Sequence, residues 1–279
     1  IGVRDPLGLK PLCLGKRGDS YILASESCAL TAVDAKFVRD ILPGEIVTIT
    51  ENGIKSDSRL IEESKAAHIP HAHCIFEYIY FARLDSTMDN VNIYDARIRA
   101  GKALAASYPV EADLVTGVPD SGLAAAMGYA QACGLPFALA FHKNSYVGRT
   151  FIKPTQKERE SAVHLKLSVL SSVVRGKRIV LIDDSIVRGT TMASLIRMLK
   201  DAGATEVHVR ISSPPFLFPC YYGTDVPSND QLIASSHTAA EICASIGADS
   251  LGYMKLEDLK QMTGDLPLCK ACFDSHYPV

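Results

Sequence analysis

No charge of one sign dominates this chain. Its 29 Lys and Arg face 31 Asp and Glu, a formal net charge of -2 over 279 residues. No global field therefore draws it to nucleic acid or to an acidic membrane surface, and any anion site has to be local. No apolar run reaches the length of a membrane span, and no signal-peptide pattern opens the chain, so neither a bilayer helix nor a secretory route is expected. Internal repeats and low-complexity tracts are absent as well, and 47% hydrophobic with 22% charged residues is ordinary for a soluble globular protein. A start methionine is missing: Ile1-Gly-Val-Arg-Asp-Pro reads as the middle of a strand. The expectation is a fragment or a processed product. Eight cysteines without a secretory signal point to a reducing compartment, with metal binding or packing favoured over disulfides and a cytoplasmic location expected.

The most informative stretch that is present is Ile179-Val-Leu-Ile-Asp183-Asp184-Ser185-Ile-Val-Arg188-Gly189-Thr190-Thr191. A short apolar run passes directly into two adjacent carboxylates, a Gly-Thr-Thr turn and a segment of helical period. Met192, Leu195, Ile196 and Leu199 hold that period, and Gly203 ends it. Such an order describes a buried strand that delivers charge to its carboxyl end, where open parallel sheets collect ligands. The following helix starts with bare backbone amides and hydroxyls, which suits a phosphate monoester. Two carboxylates beside a phosphate seat require hydroxyl donors or a cation such as Mg²⁺. The implied ligand is a phosphorylated sugar with vicinal hydroxyls, and the stretch resembles the 5-phosphoribosyl-1-pyrophosphate (PRPP) signature of type I phosphoribosyltransferases. An Asp-Asp pair alone is as often a solvated turn; the strand before it and the helix after it favour function.

Residues 1 to about 60 read as β-rich. Tyr21 to Ala24 is a short strand, and the segments on either side of Asn52-Gly53 form a hairpin, because that dipeptide fits a tight turn with positive φ. Residues 55 to 73 are polar and read as a linker in which His68, His71 and His73 are solvated. From about residue 74 strands alternate with helices. Helices are expected at 97–107 and 123–132 and from 191 onward, with strands at 113–118, 137–141, 179–182 and 207–211. That alternation gives an α/β class with a doubly wound parallel sheet, and right-handed crossovers gather the loops after Val118, Phe141 and Ile182 on one edge. Thr238-Ala-Ala-Glu241 is a capping box closed by Gly247. Leu256, Leu259 and Met262 form a short packing stripe before Gly264.

Two further loops reach the same edge. Gly117-Val-Pro119-Asp120-Ser121-Gly122 offers glycines and amides for a pyrophosphate, with Ser121 within reach of a metal. In isolation it is an ordinary turn between strand and helix. The basic run from Lys143 through Arg149 to Arg159 is long for a connection and is expected to be a mobile lid whose cations neutralise a diphosphate leaving group. No covalent nucleophile is required, and no Ser-His-Asp arrangement emerges. Cys269-Lys-Ala-Cys272 has chelate spacing, and with two single cysteines such as Cys74 and Cys220 it could hold Zn²⁺, an iron–sulfur cluster or nothing at all. Cys13, Cys28, Cys133 and Cys243 are expected in buried packing.

Over nearly its whole length the chain resembles the glutamine phosphoribosylpyrophosphate amidotransferases. The resemblance is carried by Arg4-Asp5-Pro-Leu-Gly-Leu-Lys-Pro-Leu, Ala24-Ser25-Glu26-Ser27, Phe76-Glu-Tyr-Ile-Tyr-Phe-Ala-Arg83, Lys143-Asn-Ser-Tyr-Val-Gly-Arg-Thr-Phe-Ile and the Asp183 to Thr191 stretch. It implies a type I phosphoribosyltransferase domain at 71–279, with C-terminal helices and a cluster-binding tail. Residues 1–70 then correspond to the last part of an N-terminal-nucleophile glutaminase domain plus linker. The implied activity is formation of 5-phosphoribosylamine and pyrophosphate from PRPP and glutamine-derived ammonia, with inversion at the anomeric carbon, as the first committed step of purine synthesis. Asp183, Asp184, Lys143 and Arg149 become catalytic. Ser121, Gly122, Asp183, Asp184, Ser185, Arg188, Gly189, Thr190 and Thr191 become substrate-binding. Ser121, Asp183 and Asp184 would hold Mg²⁺, and Cys74, Cys220, Cys269 and Cys272 a structural [4Fe–4S] cluster. Purine nucleotides are the implied feedback inhibitors and a homotetramer the implied assembly, with no nucleic acid or membrane partner.

Departures from the family pattern bound the reading. Its glutaminase nucleophile is an N-terminal cysteine; Cys13 and Cys28 match no such position, so at most ammonia-dependent chemistry is expected. Leu84 stands where the family usually has proline. A non-catalytic PRPP-binding regulatory module and a nucleobase salvage phosphoribosyltransferase are the alternatives. The basic lid argues against the first, and the β-rich N-terminal remnant against the second.

Overall fold

The computed structural model describes residues 1–144, 146, 167–225 and 228–279. The chain folds as two compact units, one of Ile1–Ala96 with Tyr221–Gly223 and Met262–Val279, the other of Arg97–Cys220 with Thr224–Gln261.

The first unit is built of short antiparallel ladders. Ile46–Thr50 pairs with both Gly2–Val3 and Gly53–Asp57, and Cys13–Arg17 lies between Ser20–Ala24 and Lys36–Asp40. The expected hairpin is present: Thr50 and Gly53 are register partners, and Gly53 sits at φ 108. Leu14, Ile41 and Val47 are buried together at the centre. The expected linker at 55–73 is not one. The second hairpin strand runs to Asp57, and Arg59–Ala66 is a helix. Its polar composition and its length of 8 residues hid it, since no residue of that helix is fully buried and so short a stretch leaves few apolar positions to read a period from.

His73 likewise departs from expectation. His68 and His71 are exposed, whereas His73 is 5% exposed. Its Nδ1 lies 3.2 Å from the Asp89 carboxylate. Asp89 also accepts two 2.8 Å bonds from the buried Arg4 guanidinium. The same Arg4 donates to the Ile41 carbonyl at 2.8 Å, so residues 4, 41, 73 and 89 are tied through one charge network. Backbone bonds add to this: Ala72 N–H donates to Leu7 O, and His73 N–H to Pro267 O. These ties explain why residues 71–96 and the tail belong to the first unit, where the 70/71 division had placed them with the transferase domain.

The second unit is organised on a parallel sheet. We number its four ladder strands β1 (Leu114–Gly117), β2 (Arg178–Asp183), β3 (Glu206–Ile211) and β4 (Ser250–Tyr253), paired in that order. The segment at 137 runs parallel on the outer side of β1 through a bridge from Val115 to Phe137. Full strand geometry begins only at Phe141, and Phe141–Lys143 pairs antiparallel with Leu167–Val169. The expected strand at 137–141 is thus mostly a bridge. In space the chain-order strands run second, first, third, fourth, fifth, a doubly wound order whose reversal falls between β1 and β2. Helix α1 (Gly122–Cys133), helix α2 (Thr190–Asp201) and helix α3 (Ala239–Ile246) accompany the strands. Ile179, Leu181, Val207, Val209 and Ile211 of the sheet pack against Met192, Leu195, Ile196 and Leu199 of α2 and Ile242 and Ile246 of α3, the α2 set that the helical period singles out. Thr238 and Glu241 form the expected capping box, and Gly247 closes α3 at φ 76.

Of the four cysteines expected in packing, Cys13 and Cys28 are buried, Cys133 is exposed and Cys243 is intermediate. Cys133 is the last residue of α1. None of the described helices is long and apolar enough to cross a membrane.

Candidate active site

The site lies where β1 and β2 end side by side. Both strands are apolar and almost wholly buried, so their polar continuations emerge at one edge of the sheet. The Val118 N–H donates to Ile182 O at 2.8 Å, extending the parallel ladder one step past β1. Gly122 then turns the chain into α1 so tightly that a Cβ there would stand 2.4 Å from the Ile182 carbonyl oxygen. Only glycine permits that approach. It brings the 117–122 loop onto the end of β2.

Three polar side chains meet there. Ser121 Oγ donates to one Asp184 oxygen at 2.6 Å, and Ser185 Oγ donates to the other at 2.5 Å. Asp183 accepts the Asp184 N–H at 2.9 Å, and its carbonyl accepts the Ser212 N–H at 2.9 Å. Asp184 is 7% exposed. Among the described residues neither acid forms an ion pair. Burial, and then the Asp184 carboxylate beside it, push the Asp183 carboxyl well above the ordinary carboxylate range. Two adjacent acids with hydroxyl partners and no cation form an oxygen-only donor set, the kind that hard divalent cations prefer. Ser121, Asp183 and Asp184 therefore fit Mg²⁺ by donor chemistry.

Below the acids, Gly189 takes φ 80 and starts α2 with no side-chain cap. The first amides of that helix thus face outward, with Thr190 and Thr191 exposed beside them. Arg188 is exposed and donates to Gln231 Oε1. Ile233 N–H bonds Val187 O at 2.9 Å, and Ile233 lies against Gly189. Residues 231–233 thereby brace the phosphate-type loop, a contact no local spacing in the sequence signals. Lys143 ends its strand with its ammonium on the Asp120 carboxylate. Asp120 lies in the 117–122 loop but is not among the expected site residues. Arg149 and most of the expected lid lie outside the described residues.

The cysteines are less assembled. Cys74 and Cys269 are register partners in a two-residue parallel ladder, and Cys272 lies on the short helix Ala271–Asp274. Cys220 belongs to the second unit. Burial raises the Cys74 thiol to about 11. Among the described residues no three His, Cys, Asp or Glu side chains gather as a metal-holding group.

Comparison with known proteins shows what the chain is similar to. A family model described as the phosphoribosyl transferase domain matches residues 87–212. Amidophosphoribosyltransferase from Archaeoglobus fulgidus is 51% identical, over 100% of this chain and 61% of that protein. The Bacillus subtilis protein of the same name is 49% identical, over 98% of this chain and 58% of its own length. The solved glutamine PRPP amidotransferase from B. subtilis, complexed with ADP and GMP, superposes with a TM-score of 0.87 at 48% identity, covering 98% of this chain and 60% of that one. Over its whole length this chain is similar to amidophosphoribosyltransferases. It spans 61% and 58% of the lengths of those two curated relatives. The family's type I phosphoribosyltransferase sheet is the one whose strand ends carry Ser121, Asp183 and Asp184, and the matched residues 87–212 contain all three.

Proposed function

We propose that this chain carries the phosphoribosyl-transfer chemistry of an amidophosphoribosyltransferase. The reaction would form 5-phosphoribosylamine and pyrophosphate from PRPP and ammonia, with the ammonia drawn from glutamine in the longer protein, at the entry to purine synthesis. One observation carries the reading: the Asp183–Asp184 pair, without a cation partner among the described residues, stands at the reversal point of the sheet, directly ahead of an uncapped helix N-terminus.

Each part then has a role. The amides opening α2, with Ser185 and Thr190–Thr191, hold the 5′-phosphate. Asp183 and Asp184 hold the ribose hydroxyls and keep negative charge close to the anomeric carbon as it becomes oxocarbenium-like. The amides near Ser121 and Gly122 receive the diphosphate, and the Lys143 ammonium offsets the charge that grows on it as the carbon–oxygen bond breaks. Ammonia forms the new bond to the same carbon from the opposite face, then gives up a proton to water. Mg²⁺, when bound, would add Lewis acidity at the diphosphate and cancel charge on the acids. Arg149 is proposed to join Lys143.

Pyrophosphate release from PRPP with ammonium, with nucleobases and with neither tests the reading. Release with ammonium alone is the expected result; silence in all three arms leaves a binding module, and release with bases makes it a salvage enzyme. The [4Fe–4S] cluster implied for Cys74, Cys220, Cys269 and Cys272 rests on CxxC spacing and on the Cys74–Cys269 pairing. Equal iron and acid-labile sulfide after anaerobic purification is the expected content, and zinc instead overturns it. Purine-nucleotide inhibition and a homotetramer complete the proposal, to be read from inhibition curves and solution mass.

A further inference from the structure

One ion pair in the site has no place in the chemistry above. Lys143, the cation assigned to the leaving group, stands at the end of Phe141–Lys143 with its ammonium on Asp120, in the loop assigned to the diphosphate. A carboxylate at that point repels a diphosphate and occupies the cation meant for it. The two side chains are 35% and 69% exposed, so the pair is screened by water. Pairs of that kind shift an equilibrium by less than about tenfold. It is therefore too weak to be a fixed brace and weak enough to be exchanged. A carboxylate offers one negative charge, whereas a diphosphate ester offers two or more, so an arriving diphosphate wins the ammonium.

We propose that Asp120 is a positioning residue that stores Lys143 over the diphosphate loop and competes with the diphosphate for it. While the loop is empty, Asp120 keeps the ammonium beside the loop that holds Ser121 and Gly122. When PRPP binds, the ammonium passes to the diphosphate. After the sugar has reacted, Asp120 reclaims Lys143 and so speeds departure of pyrophosphate. The idea rests on the reading of the site given above and adds to it a residue that sets affinity for the leaving group.

Titration of the full chain with inorganic pyrophosphate and Mg²⁺ tests it, comparing wild type, Asp120→Asn, Lys143→Gln and the double variant, with pyrophosphate release rates by stopped flow. Asp120→Asn is expected to bind pyrophosphate about three- to fivefold more tightly, mostly through a slower off-rate, and to lower the KM for PRPP. Lys143→Gln is expected to weaken binding, and in its background Asp120→Asn should gain nothing. Unchanged or weaker binding by Asp120→Asn overturns the proposal. So does a gain that persists in the Lys143→Gln background, because that is direct repulsion and not competition for the lysine. If wild type binds no pyrophosphate at all, the reading of the site itself falls, and this inference with it.

Discussion

At the scale of single residues, charge placed without a partner is what marks this protein. Asp183, half-buried, and Asp184, buried, stand at the end of one apolar strand, and among the described residues they meet hydroxyls and an amide but no cation. Neutralising either as Asp183→Asn or Asp184→Asn is expected to cut ammonia-dependent pyrophosphate release by 10²-fold or more, the scale for removing one electrostatic contact to a developing charge; circular dichroism should be unchanged. Retained turnover in both variants would sink the assignment. In the first unit Asp40 supplies a pH test with a definite sign. Burial, then the Asp89 carboxylate, raises its pKa to about 6 from a reference of 3.8. An acid whose folded pKa is raised favours the folded state least once pH exceeds that value, because the unfolded chain has already lost the proton. Asp40→Asn should therefore gain on wild type between pH 5 and pH 8 by about 1 kcal/mol, measured by urea unfolding at both values. The adjacent acids are legible in the sequence as a pair. Their lack of a counter-charge among the described residues is not, because any of the chain's 29 basic residues could have reached them. Asp120 shows the converse: the sequence displays it plainly, yet only the fold sets Lys143 against it.

Among elements, α2 and the loop before α1 carry the site. The helix was legible because four apolar residues at regular spacing face one sheet surface; Leu195 is 0% exposed in that core. Leu195→Ala is expected to cost about 3 kcal/mol in urea unfolding. Gly122 acts differently. A methyl at that position meets the Ile182 carbonyl at 2.4 Å, so Gly122→Ala must push the loop away from β2. Its expected signature is loss of pyrophosphate binding out of proportion to a modest loss of stability; unaltered affinity by calorimetry would contradict it. The helix at Arg59–Ala66 went unseen for the opposite reason to α2. It is polar, has 8 residues and buries none of them fully, so too few apolar positions mark it in the sequence. At residues 137–141 a continuous apolar run looked like a strand, but the chain touches β1 only through a bridge before turning into an antiparallel pair.

Across the whole molecule, two compact units divide the work. Ser121, Lys143, Asp183, Asp184 and the phosphate loop all lie in the second. The first is tied by Arg4, which is 3% exposed and paired with Asp89 and His73. Removing one partner of a buried ion pair strands the other, at a cost of roughly 3–5 kcal/mol. Arg4→Met should accordingly melt the first unit early while pyrophosphate still binds the second, seen as an early calorimetric transition beside an unchanged affinity. Joint loss of both would show that the second unit depends on the first.

The sequence by itself determined the parallel sheet, the capped and periodic helices, the hairpin turn and the chemistry of the strand ends, since each follows from periods and turn residues within a few positions. Tertiary structure alone decided that His73 is buried against Arg4 and Asp89, that residues 71–96 side with the amino-terminal strands, and that Asp120 holds Lys143. Those pairings join residues 16 to 69 positions apart, and no local pattern encodes which distant charge a side chain will meet. That choice belongs to packing, which brings separated segments together before their charges find partners.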